Sequence, residues 1–110
     1  AEAINRGVQD IETEWVFITT NATFPKNIIA RLLKSADENT AAVHPSFNSD
    51  HHHLRPRKHP LHFDVPFIEF TCPLVRAKVL KAQPLDEKMP YWGHDLDWGY
   101  RVRKSGYNIR

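Results

Sequence analysis

Residues 91–107 read YWGHDLDWGYRVRKSGY and predict a helix with more acidic and aromatic side chains than a helix requires. Asp95 and Asp97 fall in its first turn, basic side chains fill its last turn, and Gly106 stands where a left-handed C-cap is expected. Acidic residues at the start and basic residues at the end both suit the helix dipole. A helix does not need the Trp-Gly-His-Asp turn that precedes it, so this turn indicates a functional site.

The composition is that of one small globular domain. The 110 residues are 41% hydrophobic and 25% charged, and a chain of this length forms a single domain. A formal net charge of +2 is too balanced to indicate nucleic-acid binding by itself. Apolar runs stay well short of the roughly 18 residues of a membrane span, and the N-terminus lacks the layout of a signal peptide. We therefore expect no transmembrane segment.

The single cysteine, Cys72, excludes an internal disulfide framework and a cysteine-based zinc site. Its simplest role is that of a small buried apolar residue. A chain with one cysteine also fits a reducing compartment, and we expect a cytoplasmic location.

Hydrophobic patterning predicts alternating helices and strands. Trp15–Thr19 is a near-continuous apolar run that predicts a strand buried on both faces, as in parallel sheets. Val65–Thr71 also has strand composition, and Pro66 is tolerable near its start. The other predicted elements are a helix over residues 1–10, a helix from Pro25 to Ala36, a strand Ala41–His44, a helix Arg76–Ala82, a turn Pro84–Met89 and a strand starting near the C-terminus. This order favours an α/β layered domain.

Residues 46–63 are polar, basic and interrupted by prolines, which predicts a long, flexible surface loop. The loop contains five of the seven histidines, at positions 51, 52, 53, 59 and 62. Three adjacent histidines cannot all face one ion, and the pattern matches no standard zinc spacing. Nucleic-acid binding through the run RPRK at 55–58 is a further alternative, but only Phe63 is near for stacking.

Several motifs follow one another in a recognisable order. Residues 93–101, GHDLDWGYR, stand in the position of a Gly-Glu-Asp-X-Asp-Leu-X-X-Arg motif. Weaker matches are Asn-Arg-Gly at 5–7, the strand at 15–18, Phe-Pro at 24–25 with its following helix, the segment 71–80 and Pro-Leu-Asp-Glu at 84–87. Together they cover nearly the whole chain. The chain resembles the second half of a family 2 glycosyltransferase of the GT-A fold, of the hexosyltransferase type.

The resemblance implies one partial GT-A domain over residues 1–110, with an α/β sheet flanked by helices. It implies transfer of a sugar from a nucleotide-diphosphate sugar to a hydroxyl acceptor, with inversion at the anomeric carbon. Asp95 matches the general base of the family, which takes the proton of the attacking hydroxyl. Thr71, Trp92, His94 and Asp97 are the corresponding candidates for substrate binding.

Each of these residues also has a structural alternative. Asp95 and Asp97 suit the N-terminus of a helix, and His94, which replaces a glutamate of the family motif, suits a surface position. Trp92 and Trp98 match the C–H face of a pyranose ring. For Trp98, at an inward helical position, core packing is the favoured role.

The donor side departs from the family. The family's metal-binding Asp-X-Asp position reads Thr19-Thr20-Asn21, and hydroxyl and amide oxygens are poorer ligands for Mn²⁺ or Mg²⁺ than carboxylates. The N-terminal nucleotide-binding half of the family fold has no counterpart in these residues. The chain starts without an initiator Met, so we expect a piece of a larger protein or a gene product that lacks its neighbours.

These departures leave an alternative to the enzyme open. The chain would then be a non-catalytic remnant or binding module that keeps the fold but not the donor site. A sheet without its first half has an open edge, and an open edge invites pairing with a second copy of the chain. A homodimer through that edge is therefore expected under this alternative.

Overall fold

The computed structural model describes residues 1–20, 23–45, 64–89 and 93–110. In chain order the elements are α1 (Glu2–Gln9), β1 (Trp15–Phe17), α2 (Ile28–Leu33), β2 (Thr40–Val43), β3 (Leu74–Arg76), α3 (Ala77–Ala82), α4 (His94–Lys104) and β4 (Asn108–Ile109). Helices and strands are mixed along the chain and pack around one sheet, which confirms the predicted α/β class. The predicted basic loop at 46–63 lies outside the described residues.

The described strands form one mixed, four-stranded sheet in the order β1-β3-β2-β4. β3 runs antiparallel to both β1 and β2, and it places Val75 opposite Val16 on one side and Ala42 on the other. β2 and β4 are parallel. β1, β2 and β4 therefore point in the same direction, and their carboxyl ends lie at one end of the sheet.

Helices cover both faces of the sheet. Side chains alternate along β3, so Leu74 and Val75 belong to separate hydrophobic clusters on opposite faces. The larger cluster joins the sheet to α1, α3 and α4 and includes the fully buried Trp98. The smaller one packs Ile28 and Leu32 of α2 against Leu74. The result is a helix–sheet–helix sandwich.

Arg76, at the end of β3, connects the sheet to the segments on both sides. Its side chain is 6% exposed. The Nε and Nη2 atoms donate to the carbonyls of Thr40 and Asp37, both at 2.8 Å, and Nη1 pairs with Glu14 at 2.6 Å. The guanidinium also stacks 4.3 Å from the Trp15 ring. Because the two carbonyls and the Glu14 carboxylate accept hydrogen bonds from the guanidinium, its charge is tolerated inside the fold.

The predicted strand over Val65–Thr71 is wrong. Residues 64–73 form irregular backbone, and the strand of this region is β3, which begins after Pro73. Val65, Ile68 and Phe70 are buried without the alternation of a strand. The apolar content of the segment was therefore a signal of burial, not of strand pairing.

The predicted burial of both faces of the first strand is also wrong. Trp15, Val16 and Phe17 are each half-buried, and β1 lies at an edge of the described sheet beside an antiparallel neighbour. The second helix begins at Ile28 instead of Pro25, because residues 25–28 form a turn in which the Ile28 N–H donates to the Pro25 carbonyl at 3.1 Å. The predictions for β2 and α3 hold to within about one residue. The predicted turn at 84–89 contains a shorter hydrogen-bonded turn, in which the Met89 N–H donates to the Asp86 carbonyl at 3.0 Å.

Within the described residues, no helix is long and apolar enough to cross a membrane.

Candidate functional site

The carboxyl end of the parallel strands brings two chain segments together. β1 continues there into residues 18–20, and the antiparallel β3 begins there after residues 71–73. The Ile18 N–H donates to the Pro73 carbonyl at 3.0 Å, and the Thr20 N–H donates to the Thr71 carbonyl at 2.8 Å. This end of an α/β sheet is where ligands commonly bind.

Thr20, the neighbour of the candidate residue Thr19, contacts the candidate residue Thr71 at this strand end. Thr71 is half-buried, Thr19 is exposed, and the Thr20 hydroxyl lies 3.4 Å from the Thr71 carbonyl. The segment therefore offers hydroxyl groups at the surface beside a paired backbone. Asn21, the third residue of the Asp-X-Asp position, lies outside the described residues.

Phe70 joins this strand end to the start of α4. Its buried ring lies 6.3 Å from the His94 imidazole and 5.4 Å, edge to face, from the Trp98 ring, measured between ring centroids. Thr71 follows directly in the chain. The structure thus brings Thr71 and His94 to the same end of the sheet through one aromatic side chain.

The start of α4 is built on a left-handed turn. Gly93 has φ of +83°, a conformation that suits glycine, and its carbonyl accepts the Asp97 N–H at 2.9 Å. The Nδ1 atom of His94 lies 3.2 Å from the Met89 carbonyl. Asp95 is half-buried, and its Oδ1 accepts the Leu96 N–H at 2.9 Å. No described residue donates to the second carboxylate oxygen of Asp95, which can accept a proton or a hydrogen bond.

Asp97 faces a different groove. Its Oδ2 accepts from Arg101 Nε at 2.9 Å, and Arg101 also donates to the Pro84 carbonyl at 2.7 Å. Both side chains line an open groove of about 800 Å³ between α1, residues 84–88 and α4. Thr71, His94 and Asp95 are not among its described lining residues. The structure does not bring Asp97 together with them.

Of the two tryptophans near the start of α4, only Trp98 lies within the described residues. Trp98 is fully buried, and its Nε1 donates to the Gln83 carbonyl at 2.7 Å. It packs in the core, which is the favoured sequence-based role. Trp92 lies outside the described residues.

The described residues offer poor ligands for a bound divalent ion. At the Asp-X-Asp position, Thr19 and Thr20 offer neutral hydroxyls where Mn²⁺ or Mg²⁺ prefers carboxylates. Among the described residues, no group of three or more His, Cys, Asp or Glu side chains is arranged to hold a metal.

Sequence reasoning missed a contact between Cys72 and His44 at the same sheet end. Both side chains are buried, and Cys72 Sγ lies 3.9 Å from His44 Nε2. The other imidazole nitrogen, Nδ1, lies 2.6 Å from the Pro45 carbonyl. Burial raises the pKa of the Cys72 thiol above its ordinary value of 9.0. The thiol is thus protonated at neutral pH, as expected for the small buried residue predicted above.

Comparison with protein-family models, with curated proteins and with solved structures gave no significant match to this chain.

Proposed function

We propose that the chain is the acceptor-side part of a GT-A glycosyltransferase of the family 2 type. It would transfer a sugar from a nucleotide-diphosphate sugar to a hydroxyl acceptor, with inversion at the anomeric carbon. One observation carries the proposal. The Gly93–Asp95 turn and the Thr20–Thr71 contact lie at the same end of the sheet, and Phe70 touches His94 beside Thr71.

In this reaction Asp95 acts as the general base. Its side chain is half-buried at the first turn of α4, with one oxygen fixed by the Leu96 N–H. The other oxygen takes the proton of the acceptor hydroxyl while that hydroxyl attacks the anomeric carbon. The bond to the nucleoside diphosphate breaks on the opposite face, which inverts the configuration. A positioned base of this kind contributes roughly 10²–10⁴-fold to a rate.

The surrounding residues position the acceptor. Thr71 directly follows Phe70 in the chain, and the His94 imidazole lies 6.3 Å from the Phe70 ring, measured between ring centroids. They offer hydrogen-bonding groups of the type that recognise a sugar or another polyol. The Met89 carbonyl beside His94 Nδ1 favours the tautomer that carries its proton on that nitrogen, which leaves Nε2 as an acceptor.

A non-catalytic binding module is the second candidate function. The observation that favours it is the donor side, where Thr19 and Thr20 supply hydroxyls in place of the carboxylates of the Asp-X-Asp motif. Such a module would bind the acceptor at Thr71 and His94 and would not hold a nucleotide diphosphate.

Calorimetric titration with uridine- and guanosine-diphosphate sugars, with and without Mn²⁺, separates the two functions. The enzyme binds at least one donor and releases the nucleoside diphosphate when a hydroxyl acceptor is added. Asp95→Asn should keep donor binding and reduce this release by about 100-fold or more. Asp10→Asn, an exposed carboxylate at the end of α1, is the matched control and should change neither.

Two results would count against the enzyme. Failure to bind any donor would reject catalysis by this chain and leave the binding module. Donor turnover that survives Asp95→Asn would reject Asp95 as the base.

A further inference from the structure

The outer edge of β1 carries backbone groups that point away from the sheet. Glu14 and Ile18 face β3, since the Glu14 carbonyl accepts the Ala77 N–H at 2.9 Å and the Ile18 N–H donates to Pro73. Backbone direction alternates along a strand, so the N–H and C=O groups of Trp15 and Phe17 point outward. Among the described residues, β1 pairs with β3 alone.

In the described part of the chain, this edge has none of the usual protection against pairing. Natural edge strands carry a charge, a proline or a bulge that prevents another strand from adding to them. β1 has the sequence Trp-Val-Phe and regular pairing with β3. Phe24, which is 43% exposed, packs edge to face on Phe17 at 5.1 Å and extends the apolar surface. As far as residues 1–20, 23–45, 64–89 and 93–110 show, the edge is therefore open both to hydrogen bonds and to apolar contact.

We propose that β1 pairs with β1 of a second copy of the chain, antiparallel about a two-fold axis at Val16. In this register Val16 lies opposite Val16 of the second copy, and Trp15 lies opposite Phe17 of the second copy on each side of the axis. Trp15 and Phe17 are the residues with outward N–H and C=O groups, so each of these pairs exchanges two hydrogen bonds. The Trp15 carbonyl already accepts the Thr13 hydroxyl at 2.8 Å, and its second lone pair remains for this bond.

The side chains are self-complementary in the same register. Trp15 and Phe17 lie on one face of β1, so an aromatic pair forms across the interface on each side of the axis, an arrangement that stabilises antiparallel strands. The acidic residue directly before β1 meets no like charge. Glu14 lies opposite Ile18 of the second copy, which is uncharged. An isologous dimer with one continuous sheet follows.

The dimer does not depend on the proposed function, because no residue of the interface takes part in the chemistry assigned to Asp95. Analytical ultracentrifugation of the full chain over a range of concentrations tests the association itself. The expected result is a concentration-dependent rise from the 12.8 kDa monomer to twice that mass. A monomer at every concentration would overturn the proposal.

Disulfide trapping tests the register, in a Cys72→Ala background. Val16 occupies a non-hydrogen-bonded position of the new pair, where Cα atoms lie about 4.5 Å apart, within the disulfide range. Val16→Cys should therefore give a covalent dimer under mild oxidation. Thr13→Cys is the matched control. Two copies of it would lie about 20 Å apart across the axis and should not cross-link.

A mixture of Glu14→Cys chains and Ile18→Cys chains should cross-link, because those positions continue the pairing of β1 and lie opposite each other in the proposed register. A dimer that forms but is not trapped through Val16→Cys would overturn the β1–β1 pairing. Efficient cross-linking of Thr13→Cys with itself would do the same.

Discussion

Asn5 and Leu85 lie 80 positions apart in the chain and exchange two hydrogen bonds. The Asn5 Nδ2 donates to the Leu85 carbonyl at 2.8 Å, and the Leu85 N–H donates to Asn5 Oδ1 at 2.9 Å. Both residues are buried. One amide side chain in α1 thus completes the backbone hydrogen bonding of the 84–88 turn and holds that turn in front of α4.

Asn5→Ala should therefore destabilise the protein by about 2 kcal/mol, because it leaves a buried N–H and a buried C=O without partners. Urea denaturation followed by tryptophan fluorescence measures the change as a lower midpoint with an unchanged slope. Gln9→Ala, on the exposed end of the same helix, is the control and should change the free energy of unfolding by less than about 0.5 kcal/mol. Equal effects of the two substitutions would show that the Asn5 contact contributes nothing specific.

Two glycines in helices should respond in opposite ways to alanine. A Cβ atom on Gly99 would lie 2.7 Å from Phe67 Cβ and 2.8 Å from the Pro66 carbonyl oxygen, so Gly99→Ala forces α4 away from residues 66–67. We expect a loss of about 1–3 kcal/mol. A Cβ atom on Gly7 meets nothing within 4 Å, so Gly7→Ala in α1 should gain about 0.5–1 kcal/mol. Thermal unfolding of both variants gives the comparison, and a stabilised Gly99→Ala would show that α4 does not pack this closely.

Asp37 should contribute stability that is lost in acid. The pKa of this carboxyl lies below its ordinary value of 3.8, mainly because the Asn39 N–H donates a hydrogen bond to it. Hydrogen bonds from Thr40 and Asn108 and the charge of Arg110 lower the pKa further. Because the folded-state pKa is lower than the unfolded one, the contribution is complete above the unfolded pKa and disappears as the pH falls through the folded value. Urea denaturation between pH 7 and about pH 3 should therefore show a deficit for Asp37→Asn that shrinks on acidification. Glu38→Gln is the neighbouring control, and a deficit independent of pH would contradict the assignment.

The elements that sequence predicted well are those fixed by local chemistry. α4 ends in the expected basic turn, and Gly106 adopts the left-handed conformation with φ of +99°. The ion pair between Asp97 and Arg101 has the i,i+4 spacing of a helix face. Such signals lie within a few residues of each other, so no tertiary information is needed to find them.

The elements that sequence missed depend on distant partners. β3 has only three residues, and its strand conformation is set by pairing with β1 and β2 on both sides. The edge position of β1 follows from that same pairing. In the candidate site, the segment that contains Thr71 meets the start of α4 because the Phe70 ring packs against His94 and Trp98. Spacing along the chain holds no information about such a contact.

Cys72 should make the protein less stable at alkaline pH. Burial raises the pKa of its thiol above the ordinary value of 9.0, so the unfolded chain releases this proton first as the pH rises. The free energy of unfolding should then fall by up to about 1.4 kcal/mol per pH unit once the pH passes the unfolded-state pKa. Urea denaturation at closely spaced pH values up to about 10 measures the decline, before most lysines titrate. Cys72→Ala should remove this decline, and the control His44→Gln should keep it. A decline of equal slope in Cys72→Ala would show that another group causes the effect.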